Sequence, residues 1–387
     1  MGTGGAKDGI YMDYQATTPA DPRVVEAMQP YWSAIYGNPH SADHAFGWSA
    51  DAAIETARGH IAALIGADPD EIVFTSGATE ANNLAVLGIA RASPPARKRI
   101  VVSAIEHKCV LAAARAAADE GFEVITVPVG AGGIVDPRAV AAVVDDRTAL
   151  VSVMAVNNEI GTVQPLSAIA ALCSKAGAIF HTDAAQALNA LPMDVATLGA
   201  DLMSLSAHKA YGPKGMGALF VRRSLHVRPK PIIHGGGQEG GLRSGTLPTP
   251  LCVGFGEACR ILADERDGDA ERIRTLRDRF LAELLKAVPG LAVNGDQGSR
   301  HPGNLNLLFP AREASLLLQN LHPNVAASTG SACTSGQPEP SHVLRAIGLS
   351  WADANASIRF GIGRFTTRDD VDFAAAVVAK AWKAILP

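Results

Sequence analysis

SLSAHKAYGPKGMG, residues 204–217, sets one lysine, Lys209, between a strand-like run and a turn rich in glycine and proline. The run DLMSLSA (201–207) is short, apolar and bounded by turn residues, which predicts a buried strand. A lysine just beyond such a strand is held in place and partly removed from water. Only an uncharged amine attacks an aldehyde, so this position suits a Schiff-base lysine. Alone, the motif leaves any Schiff-base chemistry open.

Working outward, the same pattern recurs. EIVFTSG (71–77), RIVVSAI (99–105), EVITVPV (123–129), TALVSVMAV (148–156), AIFHTDA (178–184) and GALFVRR (217–223) are further strand candidates. Helical runs separate them at 50–66, 108–121, 136–144 and 166–177. Near-continuous apolar strands alternating with helices predict an α/β fold with a mostly parallel, seven-stranded sheet covered on both faces. Ligands in such sheets bind beyond the carboxyl ends of the strands. TSGATE, HTDAAQ and SAHK all fall at those ends. Asp183 and Lys209 are then the two groups that pyridoxal phosphate requires, a carboxylate for the ring nitrogen and an amine for the aldehyde.

Beyond about residue 255 the pattern changes. A charged amphipathic helix over roughly 262–287 precedes GNLNLLFP, a helix at 312–321, VAAST, SIRFGIGRF and a last helix at 368–385. This predicts a large domain over 16–260 and a smaller α/β domain built from 1–15 and 261–387. Of 387 residues 48% are hydrophobic and 19% charged, which excludes a disordered chain. The 34 basic and 38 acidic residues are scattered, so no direct nucleic-acid surface is expected. No apolar run reaches the ~20 residues of a membrane span. The five cysteines lack CxxC spacing, which fits reduced thiols and a cytoplasmic setting better than disulfides or zinc.

Each remaining motif has a bland reading beside the chemical one. Ser76-Gly77-Ala78-Thr79 opens a helix and suits a phosphate, but an ordinary cap at Thr79 explains it too. His107 ends a strand, where a ring can stack on a cofactor and move protons; isolated histidines are also structural. Asn158 in NNEIGTVQP is either a hydrogen-bonding group or a turn residue. The Gly-rich loop at 234–249 implies a close approach to a ligand or another subunit. Cys333, in STGSACTSG, stands among small polar residues, a setting for a reactive thiol. Cys173, Cys252 and Cys259 read as core residues; Cys109, beside His107 and Lys108, is ambiguous, its apolar downstream context favouring packing. Arg359 and Arg364 in SIRFGIGRF both suit a grip on a carboxylate, and periodicity does not separate them. His181 shares a strand face with Asp183, without a third ligand for a metal.

GNPHSADHAFG, FTSGATEANN, EHKCVL, NNEIGTVQP, FHTDAAQ, SLSAHKAYGPKGMGAL, GGGQEGGLRSGT, STGSACTSGQPEPSHVLRAIG and SIRFGIGRFT together resemble the NifS/IscS-type cysteine desulfurases, in family order from about residue 11 to 367. The resemblance implies a fold-type I pyridoxal-phosphate enzyme working as a homodimer. It implies that Lys209 binds the cofactor aldehyde, Asp183 pairs with the ring nitrogen, and His107 stacks on the ring and relays protons. Gln186 and Asn158 would contact the ring hydroxyl region. Ala78, Thr79, Ser206 and His208 would hold the phosphate, with Thr246 reaching it from the other subunit. Arg359, with Asn158, would hold the carboxylate of L-cysteine. Cys333, on a loop of the long-loop type, would take the sulfur as a persulfide, release L-alanine, and pass the sulfur to an acceptor protein in iron–sulfur cluster assembly or other sulfur trafficking. A selenocysteine lyase, a cysteine sulfinate desulfinase, a small-substrate aminotransferase and a non-catalytic sulfur carrier are the alternatives. One departure is Gly240, where many relatives carry arginine.

Overall fold

The computed structural model describes residues 9–330 and 340–385. Seven strands form the main sheet: β1 (Ile72–Thr75), β2 (Arg99–Ser103), β3 (Glu123–Val127), β4 (Thr148–Ser152), β5 (Ile179–Asp183), β6 (Leu202–Ser206) and β7 (Gly217–Val221). Their order is β1-β7-β6-β5-β4-β2-β3. β3, β2, β4, β5 and β6 pair in parallel, while β7 runs antiparallel to both neighbours. The reversal follows from chain length. Residues 207–216 join β6 to β7, and a parallel crossover needs a dozen or more residues, usually with a helix.

Helices cover both faces, as the uninterrupted apolar strands require. β1, β2, β4, β5, β6 and β7 are buried along their whole length. One face packs α1 (Ala45–Ile65) through Ile54, Ile61 and Ile65, together with Phe74, Phe180 and Phe220. The other packs α2 (Ala78–Ala92) and α3 (Lys108–Asp119) through Leu84, Ile89 and Val110. Each of the fully buried phenylalanines contributes about 2 kcal/mol by leaving water. α4 (Leu166–Ala176) adds Ile169 and Cys173 to the first face.

A second core lies around an antiparallel sheet of β8 (Ala292–Val293), β9 (Asn304–Leu308) and β10 (Ser357–Gly361). It includes Met12 from the N-terminal segment and Val371, Ala374 and Val378 from α6 (Arg368–Ala384). The amphipathic helix expected over 262–287 is longer than its charge pattern suggests. It forms part of α5, a single 39-residue helix over Thr249–Ala287. Cys252, Phe255, Cys259 and Leu262 enter the sheet core, whereas Ile273, Leu276, Phe280 and Leu284 enter the second core. No proline interrupts residues 251–287, so one helix serves both. The strand SIRFGIGRF is shorter than its alternation, ending at Gly361.

Candidate active site

The carboxyl ends of β1, β4, β5 and β6 open into one cavity of about 550 Å³. Ala78, Thr79, His107, Asn158, Asp183, Gln186, Ser206, His208 and Lys209 all line it. Residues far apart in sequence meet there because parallel strands deliver their following turns to the same edge.

Asp183 is the last residue of β5 and is 4% exposed. Its Oδ2 accepts from Asn82 Nδ2 at 2.7 Å and its Oδ1 from the Ala185 N–H at 3.0 Å. Both donors are neutral. A buried carboxylate answered by neutral donors is poised to receive a cation.

Lys209 closes the short turn Ala207–Lys209 that follows β6. Its Nζ donates to the carbonyls of Gln15 and Ala16, the latter at 2.8 Å. Burial, reinforced by the charge of Arg359, lowers its pKa to about 8; Asp13 and Asp183 pull the other way. At that value about one molecule in ten carries the free amine at neutral pH, against about one in several thousand for an ordinary lysine. Residues 15–18 pin the whole turn. Gln186 Nε2 donates to the Gln15 carbonyl at 2.8 Å, and Thr18 Oγ1 donates to the His208 carbonyl at 3.0 Å. His208 Nδ1 lies 3.0 Å from Thr17 Oγ1, and burial brings the His208 pKa down to about 4.

α2 begins at the same edge. Gly77 is its N-cap, with φ at 147° and no side chain to satisfy the first N–H groups. A Cβ at Gly217 would stand 2.7 Å from Gly77 Cα, so glycine at the start of β7 lets this turn pack against the sheet. The expectation that Thr79 caps the helix is therefore corrected: the cap is Gly77. Glu80 accepts from the Ser76 N–H at 2.7 Å and is neutralised by Arg243 at 2.9 Å. The first N–H groups of the helix, Ser206 and His208 line the same cavity as Asp183, and an uncapped helix start favours an anion.

Residues 10–373 match the aminotransferase class-V family. The chain is 52% identical to a human cysteine desulfurase over 364 residues, 94% of this chain and 79% of that one. A solved NifS-like protein superposes with a TM-score of 0.91 at 34% identity, covering 97% of this chain and 100% of the other. A second structure, described as SspA in complex with cysteine, gives 0.82 at 38% identity over 92% and 99%. The chain belongs to the class-V aminotransferase family.

Other residues expected from family resemblance fall as follows. Arg359, on β10, is 4% exposed and does not line the cavity itself but bonds to Asn158, which does. It donates to Asp13 Oδ1 at 2.6 Å, to Ser328 Oγ at 3.0 Å and to the Asn158 carbonyl at 2.9 Å. Its Nε has no partner among the described residues, which leaves a donor to spare. Arg364 lies elsewhere, over the Tyr211 ring and paired with Asp21 and Asp269. Thr246 is exposed in the Gly-rich loop and does not line the cavity. Gly240 adopts φ +60° there, beside Glu239, which pairs with Arg58 at 2.8 Å. Cys333 lies outside the described residues. His181 is buried between Ser152 Oγ at 2.8 Å and Ser204 Oγ at 3.0 Å, a cross-strand tie beneath Asp183.

Sequence reasoning missed Asn82 and residues 16–17, all near or lining the cavity; Lys214, the rival to Lys209 as the cofactor lysine, lines it too. Asn82 had a signal, because two asparagines inside a helix compete with its backbone bonds and need another reason to be there. Cys109, ambiguous in the sequence, does both: it packs against the α2–α3 core and lines the cavity beside His107.

Glu106, next to His107, is fully buried. Its Oε1 accepts from Ser103 Oγ at 2.6 Å and the Met154 N–H at 2.7 Å, while Oε2 has no partner among the described residues. Burial pushes its pKa up to about 8, so it holds its proton at neutral pH. The folded value lies above the unfolded one. Its contribution to stability is thus complete below about pH 4.5 and is lost as pH rises through about 8. Glu106→Gln keeps the neutral shape without that loss. The variant is expected to gain about 2 °C in melting temperature near pH 8.5 relative to wild type, and less near pH 5. Thermal unfolding at the two pH values reads the difference.

Proposed function

We propose that the protein is a cysteine desulfurase that binds pyridoxal 5'-phosphate through Lys209 and passes the sulfur of L-cysteine to Cys333. The observation that carries the cofactor assignment is the pairing of Asp183, a buried carboxylate with neutral partners, with a desolvated lysine and an uncapped helix start in one cavity. When bound, the cofactor supplies an electron sink that weakens bonds at the substrate's Cα and Cβ.

The chain's own residues divide the remaining work. Asp183 holds a proton on the ring nitrogen, and Gln186 and Asn158 meet the ring hydroxyl region. The first N–H groups of α2 with Thr79, Ser206 and His208 hold the phosphate. Arg359 and Asn158 fix the substrate carboxylate, which orients the Cα–H bond. Lys209, with its lowered pKa, takes and returns the Cα proton. His107 manages the proton of the substrate thiol. The thiolate of Cys333 takes the sulfur, so that an S–S bond forms as the C–S bond breaks and L-alanine leaves.

A homodimer fits the surface. Trp32, Tyr36, Phe46 and Trp48 are each more than half exposed, and a second copy covering them would remove a large apolar area from water. Thr246 of that copy then reaches the phosphate. The persulfide is delivered to an acceptor protein in the cytoplasm, for iron–sulfur cluster assembly or other sulfur trafficking.

The test is product analysis. With pyridoxal phosphate, L-cysteine and a thiol reductant, the protein is expected to form L-alanine and sulfide in equal amounts. Turnover of selenocysteine or cysteine sulfinate with L-cysteine inert would favour the corresponding lyase or desulfinase instead.

A further inference from the structure

Cys109 shares the cavity but has no part in the chemistry assigned above. Its Sγ stands 2.9 Å from His107 Nδ1 and 3.2 Å from Asn82 Nδ2. The same Nδ2 donates to Asp183 Oδ2 at 2.7 Å. Asn82 is fully buried, and its Oδ1 has no partner among the described residues. Its place in the fold is therefore explained by what Nδ2 gives.

The direction of each bond follows from the donors. The backbone N–H of Cys109 can only donate, and it meets His107 Nδ1 at 3.3 Å, where His107 caps α3. Nδ1 therefore carries a lone pair, and the neutral ring has its proton on Nε2. Asn82 Nδ2 also can only donate, so Sγ accepts from it. The Thr79 hydroxyl also bonds the sulfur and can donate to it as Asn82 does, which directs the S–H hydrogen to Nδ1. Burial, with the charge of Asp183 behind it, pushes the Cys109 thiol up to about 12, so the hydrogen stays on sulfur.

We propose that Cys109 is a positioning residue for His107: its thiol, oriented by Asn82, donates to Nδ1 and holds the ring as the Nε2–H tautomer. The proposal rests on the desulfurase reading, in which His107 handles the protons of a sulfur substrate. His107 then meets that substrate as a hydrogen-bond donor. The same bonds keep a second thiol from competing for sulfur, because a protonated, engaged S–H is not a nucleophile.

The test uses the full-length protein loaded with pyridoxal phosphate and labelled with 15N-histidine. His107 is assigned by comparison with His107→Gln. Long-range proton–nitrogen correlations are expected to show a pyrrole-type Nε2 and a pyridine-type Nδ1 at neutral pH. Cys109→Ala removes a donor to the neutral ring, so the His107 titration is expected to move up by about half to one pH unit. Cys109→Ser keeps a donor and should titrate like wild type. The charges around the ring, on Asp183, Lys209, His342 and Lys108, are common to all three proteins. An Nδ1–H tautomer in wild type, or an unmoved titration in Cys109→Ala, overturns the proposal. L-Alanine formation is measured on the same wild-type sample. The Nε2–H signature without alanine refutes the desulfurase reading and leaves the positioning role standing.

Discussion

Lys209→Ala is expected to lower L-alanine formation by about three powers of ten or more, with the fold intact. Two roles are lost at once, the covalent hold on the cofactor and the Cα base. The lysine is suited to both because burial, not a carboxylate partner, sets its charge. Its Nζ rests on two backbone carbonyls, Gln15 and Ala16, which hold it in place without neutralising it. The pH dependence has a definite sign. The attacking form is the free amine, so cofactor loading in the wild type should speed up as pH rises and level off above about 8. Thermal unfolding of the cofactor-free variant checks the fold, because among the described residues Lys209 makes no ion pair whose loss would strand a buried charge. Full activity in Lys209→Ala, restored without added amine, would remove the residue from the mechanism.

Asp183→Asn comes second, with an expected loss of about two powers of ten in kcat. Asparagine fits the same space and keeps a carbonyl for one of the two donors, Asn82 and the Ala185 N–H. What it cannot do is stabilise a proton on the ring nitrogen. The loss should therefore appear in kcat and in the visible spectrum of the bound cofactor, with a smaller change in cofactor affinity. A drop in affinity with kcat unchanged would make Asp183 a binding residue only. Asn82 is its support, since Nδ2 supplies the shortest bond to the carboxylate.

Much of this site was legible because strand ends can be read from apolar runs. Asp183, Ser206 and Lys209 follow their strands immediately, and a parallel sheet brings those ends together. The direction of β7 was not read, although the short link from Ser206 to Gly217 implied it. Side-chain partnerships were less accessible. Alternation placed Arg359 and Arg364 in one run, but only the fold shows Arg359 against Asn158 and Arg364 against Tyr211. Cys109 looked like packing because its downstream neighbours are apolar. The local geometry of a helix cap at His107 brings its sulfur to the imidazole. Residues 15–18 reach the turn around Lys209 from the other end of the chain, and no local pattern announces that contact.

The central claim is that Lys209 is the residue that holds the cofactor. Lys214 lines the same cavity and is the natural competitor. The protein is loaded with pyridoxal phosphate, reduced with borohydride, digested and mapped by mass spectrometry. The account predicts the phosphopyridoxyl mass on the peptide containing Lys209, at that residue. The same mass on Lys214, with Lys209 unmodified, would contradict it.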